Sequence, residues 1–133
     1  YKWEFVGGSQ LYSSVVPEQG TTSTSYTDLA TVGPSVTLPL AGDYDIKHGF
    51  RGYCNTTSNY GSMSYAIGGA AAVDAEFIIV YQITALTGGI YRVDRTIRKT
   101  GLSAVTLTAK YKSTAGNSNF ENRQMEVRPI RVG

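Results

Sequence analysis

The chain has 133 residues, with twelve Lys or Arg, ten Asp or Glu, one histidine and one cysteine. This length is usual for a single domain, which can bury roughly two-thirds of the surface that its unfolded chain exposes. A net charge of +2 is too small to predict a nucleic-acid-binding surface, and a lone cysteine excludes an intrachain disulfide and a cysteine-based zinc site. We therefore expect one domain over residues 1–133, without nucleic acid as a partner.

Threonine, serine and glycine are abundant, and the sequence contains ten tyrosines. This composition favours strands and turns over helices. Tyr26 to Val32 has no strong period and is either extended or contains one helical turn. In chain order, the predicted strands are Lys2 to Val6, Leu11 to Val16, Ser35 to Leu40, Asp43 to Phe50, Phe77 to Ile83, Ile90 to Lys99, Val105 to Tyr111 and Arg123 to Val132.

Alternation of apolar and polar residues is clearest in two of these strands. In Asp43 to Phe50, the side chains of Tyr44, Ile46 and His48 fall on the face predicted to point inward. Val105 to Tyr111 alternates in the same way. Such strands have one face in a core and one in solvent, as in antiparallel sheets.

Two prolines place limits on their strands. Pro39 restricts its strand to an edge or a bulge, because proline cannot donate a backbone hydrogen bond to a neighbouring strand. The inward parity changes past Pro129, which predicts a bulge there. With eight to ten short strands separated by turns, we predict an all-β fold, an antiparallel β-sandwich of jelly-roll type.

The most apolar segment is Phe77 to Ile83, which follows a run of glycine and alanine. It is far shorter than the roughly 20 apolar residues of a membrane helix, so no membrane insertion is expected. Both of its faces are apolar, which predicts a central strand covered on each side, either by a second sheet or by another copy of the chain. The candidate subunit interface consists of Ile78, Val80, Gly68 and Gly69.

Residues that could support catalysis are few. His48 lies on a predicted inward face, where a structural histidine, hydrogen-bonded in the core or at a subunit contact, is favoured over a catalytic or metal-binding one. The pairs Asp43 and Asp45, and Asp74 and Glu76, are best explained as solvated charges. We predict no enzymatic activity, no catalytic residues, no cofactor and no metal ion.

Two polar stretches are candidate contact loops, Arg51 to Ser62 and Ser113 to Asn122. Aromatic rings and amides can stack on sugars or contact a protein receptor, although tyrosines here could equally belong to the core. The basic residues from Arg92 to Lys99 fit a charged outer face. The candidate ligand or receptor residues are Arg51, Tyr53, Asn55, Asn59, Tyr60, Asn117 and Asn119.

Six stretches carry turn and strand signatures over nearly the whole chain: Tyr1 to Gly8, Asp28 to Leu38, Ala41 to Tyr44, Met63 to Gly69, Asn119 to Arg123 and Val127 to Val132. Together they resemble the C-terminal domain of virion fibre and minor tail proteins of tailed bacteriophages. The resemblance implies a β-sandwich head, a homotrimer, attached to a virion through an upstream segment. It specifies a structural family and no functional residues.

The leading functional hypothesis is a non-enzymatic virion protein, a trimeric fibre or spike head on the tail or capsid surface. Its partners would be other copies of itself, other virion proteins and a host cell-surface receptor or glycan. One alternative is a capsid decoration or head-fibre protein that binds the phage shell. Another is a carbohydrate-binding module of a larger enzyme.

Overall fold

The computed structural model describes residues 9–82 and 90–133. Over these ranges the regular secondary structure consists of strands and one short 3-10 helix at Asp74–Glu76. The strands are β1 (Leu11–Val15), β2 (Gln19–Thr21), β3 (Ser35–Thr37), β4 (Gly42–Cys54), β5 (Asn59–Ile67), β6 (Ile78–Gln82), β7 (Tyr91–Leu102), β8 (Thr106–Ser113) and β9 (Ser118–Val132). The predicted strand at Lys2 to Val6 lies outside the described residues.

The strands form two antiparallel sheets. In the five-stranded sheet the order is β1, β9, β4, β7, and β2 also pairs with β9. In the four-stranded sheet the order is β3, β8, β5, β6. The prediction of an all-β antiparallel sandwich is confirmed. The trimer stays a prediction.

The core lies between the two sheets and is built from the alternating strands. Tyr44, Ile46 and Phe50 of β4 are fully buried, as are Leu107 and Tyr111 of β8. Apart from Gly49, their outward neighbours are partly or fully exposed, because successive side chains of a strand point to opposite faces. The inward faces predicted for both strands are therefore confirmed.

The apolar segment is correctly predicted as a strand but not as a central one. Among the described strands, β6 pairs only with β5 and is the last strand on its side of the four-stranded sheet. Ile78 and Val80 are buried in the core of this same chain, so their side chains offer no surface to a second copy. Ile79, on the opposite face, is 39% exposed.

Both predicted contact loops are shorter than expected. β4 continues to Cys54 and β5 starts at Asn59, so only residues 55–58 connect them. β9 starts at Ser118, which leaves residues 114–117 as the second connection. Gly52 lies in the first predicted loop, but it belongs to β4. A Cβ at this position would collide with the carbonyl oxygen of Asn119 on the paired strand. This glycine permits a close approach of backbones within a sheet.

The predictions made from the two prolines are confirmed. β3, which precedes Pro39, is an edge strand among the described residues. Near Pro129 the register between β9 and β4 shifts, since Tyr44 pairs with Pro129 while Asp43 pairs with Arg131. Among the described residues, no helix is long and apolar enough to cross a membrane.

Candidate functional site: a groove on the four-stranded sheet

The structure brings three of the predicted ligand residues together at one end of the sandwich. The backbone N–H of Asn55 donates to the carbonyl of Asn117 at 3.0 Å. The side-chain amide of Asn119 donates to Asn55 at 3.3 Å and accepts from Asn117 at 3.0 Å. Gly20 packs against this cluster, where a Cβ would lie 2.7 Å from the Asn119 side-chain oxygen. The amides are thus used largely to join two turns and the β2 backbone.

Asn59 is excluded as a ligand-binding residue because it is fully buried. Its side-chain oxygen accepts from the hydroxyl of Thr114 at 2.7 Å and from the backbone N–H of Ala115 at 2.8 Å. Its amide nitrogen donates to Ser113 and Ser118. A buried amide with all of these partners stabilises the second connection.

The other three predicted ligand residues are Arg51, Tyr53 and Tyr60. The exposed side chain of Arg51 forms an ion pair with Glu121 at 3.2 Å. The hydroxyl of Tyr53 donates to Glu18 at 3.0 Å, and Tyr60 is half-buried on β5. A role for these residues in ligand binding stays a prediction.

A recess lies on the outer face of the four-stranded sheet. It is a groove of about 550 Å³. That volume is within the range of roughly 300–1,000 Å³ that is usual for small-molecule sites. We call it the sheet groove, and it is lined by Thr24, Ser25, Tyr26, Ala66, Gly68, Gly69, Ala70, Ala71, Ala72, Lys110 and Lys112.

One wall of the sheet groove is the segment that precedes β3. Thr27 exchanges two backbone hydrogen bonds of 2.9 Å with Tyr111 of β8, and the N–H of Ser113 donates to the carbonyl of Ser23 at 2.7 Å. These bonds fix the segment along the edge of β8. Tyr26 lies between the bonded positions and is half-buried.

The other wall is the connection from β5 to β6, which returns across the outer face of β5. The hydroxyl of Ser64 donates to the carbonyl of Val73 at 2.8 Å and holds the connection on the sheet. Gly68 has a φ of 59°, which glycine adopts without strain. Gly68 and Gly69 are exposed here, so their predicted role in subunit contacts stays a prediction.

A cross-bridge of three side chains joins the two walls. The hydroxyl of Tyr26 donates to Asp74 Oδ1 at 2.7 Å, and Lys112 Nζ lies 2.6 Å from the same oxygen. Lys112 also lies over the Tyr26 ring, 4.6 Å from its centroid, in a cation–π contact. Hydrogen bonds from Lys112 and Tyr26 lower the pKa of Asp74, while burial and the bond to Asp74 raise the pKa of Tyr26. Asp74 is therefore ionised and Tyr26 neutral over the physiological range.

The second lysine of the sheet groove is also paired. Lys110 Nζ lies 2.7 Å from Asp28 Oδ1. The groove and its immediate neighbours thus combine two lysines with two aspartates. The region is close to neutral, although each charge is strongly localised.

A second polar cluster is buried between the sheets near the 3-10 helix. His48 is fully buried and its ring contacts the ring of Tyr65 edge-on, with centroids 5.1 Å apart. Burial lowers the pKa of His48 to about 4, so the imidazole is neutral at physiological pH. Its nitrogens lie near the backbone of Glu76 and Met63 without a hydrogen bond of normal geometry. The expected inward position is confirmed, but the expected hydrogen bonds are not found.

Glu76 belongs to this same buried cluster. Its carboxylate forms an ion pair with Lys99 of β7, which ties the 3-10 helix to the five-stranded sheet. The exposed solvated role predicted for Glu76 is therefore wrong, because the helix turns this side chain inward. In residues 9–82 and 90–133, no group of three or more His, Cys, Asp or Glu could hold a metal ion.

Sequence reasoning missed the residues of the cross-bridge. Tyr26 lies in a segment without a clear period, and Asp74 was interpreted as a solvated charge. The contact between them joins residues 48 positions apart, and the contact from Lys112 to Asp74 joins residues 38 positions apart. The small-residue run before β6 was the one visible signal, and it was assigned to subunit packing.

No family model and no curated protein matches this chain. Among solved structures, it is similar to the C-terminal CBM6 of LamC, a marine laminarinase from Zobellia galactanivorans, with 13% identity and a TM-score of 0.45 over 88% of this chain and 98% of that one. It is also similar to a chain in the structure of infectious bursal disease virus Gx strain, with 11% identity and a TM-score of 0.49 over 92% of this chain and 32% of the viral one.

A third similar structure is the carbohydrate-binding module CBM6cm-2 from Cellvibrio mixtus lichenase 5A, solved with cellotriose. The identity is 18% and the TM-score 0.40, over 90% of this chain and 95% of the module. At these identities and TM-scores, the three similarities identify neither a ligand nor a role for this chain.

Proposed function

We propose that this chain is a non-enzymatic head domain of a tailed-bacteriophage fibre or spike, which attaches the virion to a host surface through the sheet groove. The observation that carries the proposal is the groove itself. It is a recess of ligand size on a domain whose interior is filled by side chains. The virion assignment is supported by the turn and strand signatures from Tyr1 to Val132.

Binding without catalysis is supported by the state of the reactive side chains. The chain has one histidine and one cysteine, and both His48 and Cys54 are buried. Tyr26 and Lys112 of the groove are both engaged with the Asp74 carboxylate. General acid–base or nucleophilic catalysis requires a group that can reach the substrate and exchange a proton with it. This groove offers fixed partners for hydrogen bonds instead.

A trimeric head is supported by apolar side chains at the last described strands of each sheet. Ile79 on β6 and Tyr91 on β7 are exposed, and so is Ile90, just before β7. These side chains are our candidates for the contact surface between subunits. Light scattering of the purified chain at low micromolar concentration tests the assembly, and a stable monomer would remove the trimer from the proposal.

Competition for adsorption tests the attachment role. Purified chain is added to host cells before the phage, and we expect fewer particles to adsorb. Gly69→Trp should abolish the competition, because nothing lies within 4 Å of a Cβ at this position and the indole would fill the groove. Thr96→Trp is the matched control on the exposed face of β7. Competition that survives Gly69→Trp would contradict attachment through the groove.

A second candidate function is binding to the phage shell as a decoration protein. The observation in its favour is β7, a long strand at the edge of the five-stranded sheet among the described residues, with Tyr91 exposed at its start. Sheet edges are natural sites for pairing with another chain. Imaging of particles carrying a labelled chain separates the candidates, since decoration places the label over the shell and a fibre head places it on the tail or on projecting fibres.

A further inference from the structure

We propose that the sheet groove binds a neutral saccharide, one that presents a hydroxyl-rich edge and an apolar ring face. This inference rests on the proposed attachment function only in using the same groove. The three steps that lead to it concern the charge of the groove, its surface and its unused hydrogen-bonding atoms.

The charge of the groove disfavours an ionic ligand. Lys110 is paired with Asp28 at 2.7 Å and Lys112 with Asp74 at 2.6 Å. An anion would have to compete with an aspartate for each lysine, and a cation would have to compete with a lysine for each aspartate. A neutral ligand can enter while both ion pairs stay intact.

The surface of the groove suits a ring with an apolar face. Ala66 lies in the floor, and the wall from Gly68 to Ala72 has no side chain larger than a methyl group. Small residues allow a ligand to approach the backbone closely, where N–H and C=O groups can bond to it. The ring of Tyr26 lies on the opposite wall, where Lys112 covers one of its faces.

Free acceptor atoms remain on both aspartates. Tyr26 and Lys112 both bind Oδ1 of Asp74, and Lys110 binds Oδ1 of Asp28. Both aspartates lie beside the groove, bonded to the lysines that line it, and their side chains are 60% and 40% exposed. The lysine ammonium groups have further donors, and the hydroxyls of Thr24 and Ser25 line the same wall. Sugar hydroxyls donate and accept at once, so they match these mixed partners.

The test is a titration of the whole chain with neutral and with acidic oligosaccharides, followed by calorimetry. We expect binding of neutral members, with an affinity that changes less than about twofold between ~0.1 M and ~1 M salt, because screening acts on charged ligands. Gly69→Trp should weaken binding at least about tenfold by filling the space. The Thr96→Trp control should bind like the unmodified chain.

Three results would overturn the inference: no binding of neutral saccharides, binding restricted to acidic ones with strong salt dependence, or neutral binding that Gly69→Trp leaves unchanged. The adsorption competition is read separately. If Gly69→Trp abolishes competition while neutral saccharides do not bind, the attachment proposal stands and the ligand class is wrong. If neutral saccharides bind in the groove while the chain fails to compete, the ligand class stands and the attachment proposal is wrong.

Discussion

The two outer faces of the sandwich differ in shape, although both are lined by charged and hydroxyl side chains. On the five-stranded sheet, Asp45 pairs with Arg98 at 2.8 Å and lies 3.5 Å from Arg128. The described recess on that face holds about 190 Å³. On the four-stranded sheet the sheet groove holds about 550 Å³. The sheet groove is therefore the larger of these two recesses.

Connections between strands make the difference. Residues 23–27 lie along β8 and residues 68–76 return across β5, so the four-stranded sheet has two raised walls. The ion pairs on this face then join a wall to the sheet, as Lys112 does with Asp74. The comparison indicates that the depth of the groove depends on how these two segments are held.

The largest effect is expected from Arg123→Ala, which releases the segment that leads from the first wall into β3. Arg123 is fully buried on β9, and its guanidinium donates to the carbonyls of Thr31 and Gly33 and to the side chain of Gln19 at 2.9 Å. Removing it takes a donor from each acceptor, although Gly33 still accepts from Tyr111 and Gln19 from the N–H of Thr31, and it creates a cavity. We expect a loss of about 3 kcal/mol or more, measured by urea unfolding.

Arg128→Ala is the matched control on the same strand, because Arg128 is exposed on the five-stranded sheet. A change within about 0.5 kcal/mol is expected there. Equal losses in the two variants would contradict a structural role for the buried guanidinium of Arg123.

The second effect is acid destabilisation centred on His48, beneath the second wall. Its pKa is about 4 in the folded chain against an ordinary value of 6.5. Between these values the unfolded chain binds a proton that the folded chain does not. Stability should therefore be complete above pH 6.5 and fall as the pH approaches 4, by about 3 kcal/mol in total.

Unfolding measured as a function of pH checks this expectation, with His48→Gln as the variant that cannot titrate. The difference in stability between the two chains should change between pH 6.5 and 4 and become constant below. Asp45 and Asp74 have lowered pKa values, so their contributions are lost at more acidic pH. A difference that does not vary across the window would rule out a neutral buried imidazole.

The smallest effect on stability is expected from Asp74→Asn, which breaks the cross-bridge at the surface. The Asp74 side chain is 60% exposed, so the unfolding free energy should change by less than about 1 kcal/mol. Saccharide binding should nevertheless weaken, because an amide replaces the carboxylate that orients Tyr26 and Lys112. Asp45→Asn on the other face should leave binding unchanged, and equal binding losses would contradict a site confined to the groove.

The fold could be predicted from the sequence where a strand has one clearly buried face. The alternation around Tyr44 and Ile46 gave β4, and that around Leu107 gave β8, because burial of every second side chain is a local pattern. Strand order is a long-range property, so β6 was placed at the centre when it lies at the last described position of its sheet.

The wrong loop bounds and the missed cross-bridge have different causes. Gly52 falls in a stretch predicted as a contact loop, but its missing side chain accommodates β9 within the sheet. The cross-bridge could not be predicted, because Tyr26, Asp74 and Lys112 come from three separate segments, and nothing local indicates that they meet. Residues of connecting segments that line a recess follow no regular sequence period, so no pattern in the sequence indicates them.

The measurement that tests the central claim most directly is an amide chemical-shift titration by NMR of the whole chain with the neutral oligosaccharide that binds best. We predict that the largest shifts occur at residues 24–26, 66–72 and 110–112, the lining of the sheet groove. Shifts concentrated at the turns 55–58 and 114–117, or on the outer face of the five-stranded sheet, would contradict the account and move the ligand site to another part of the sandwich.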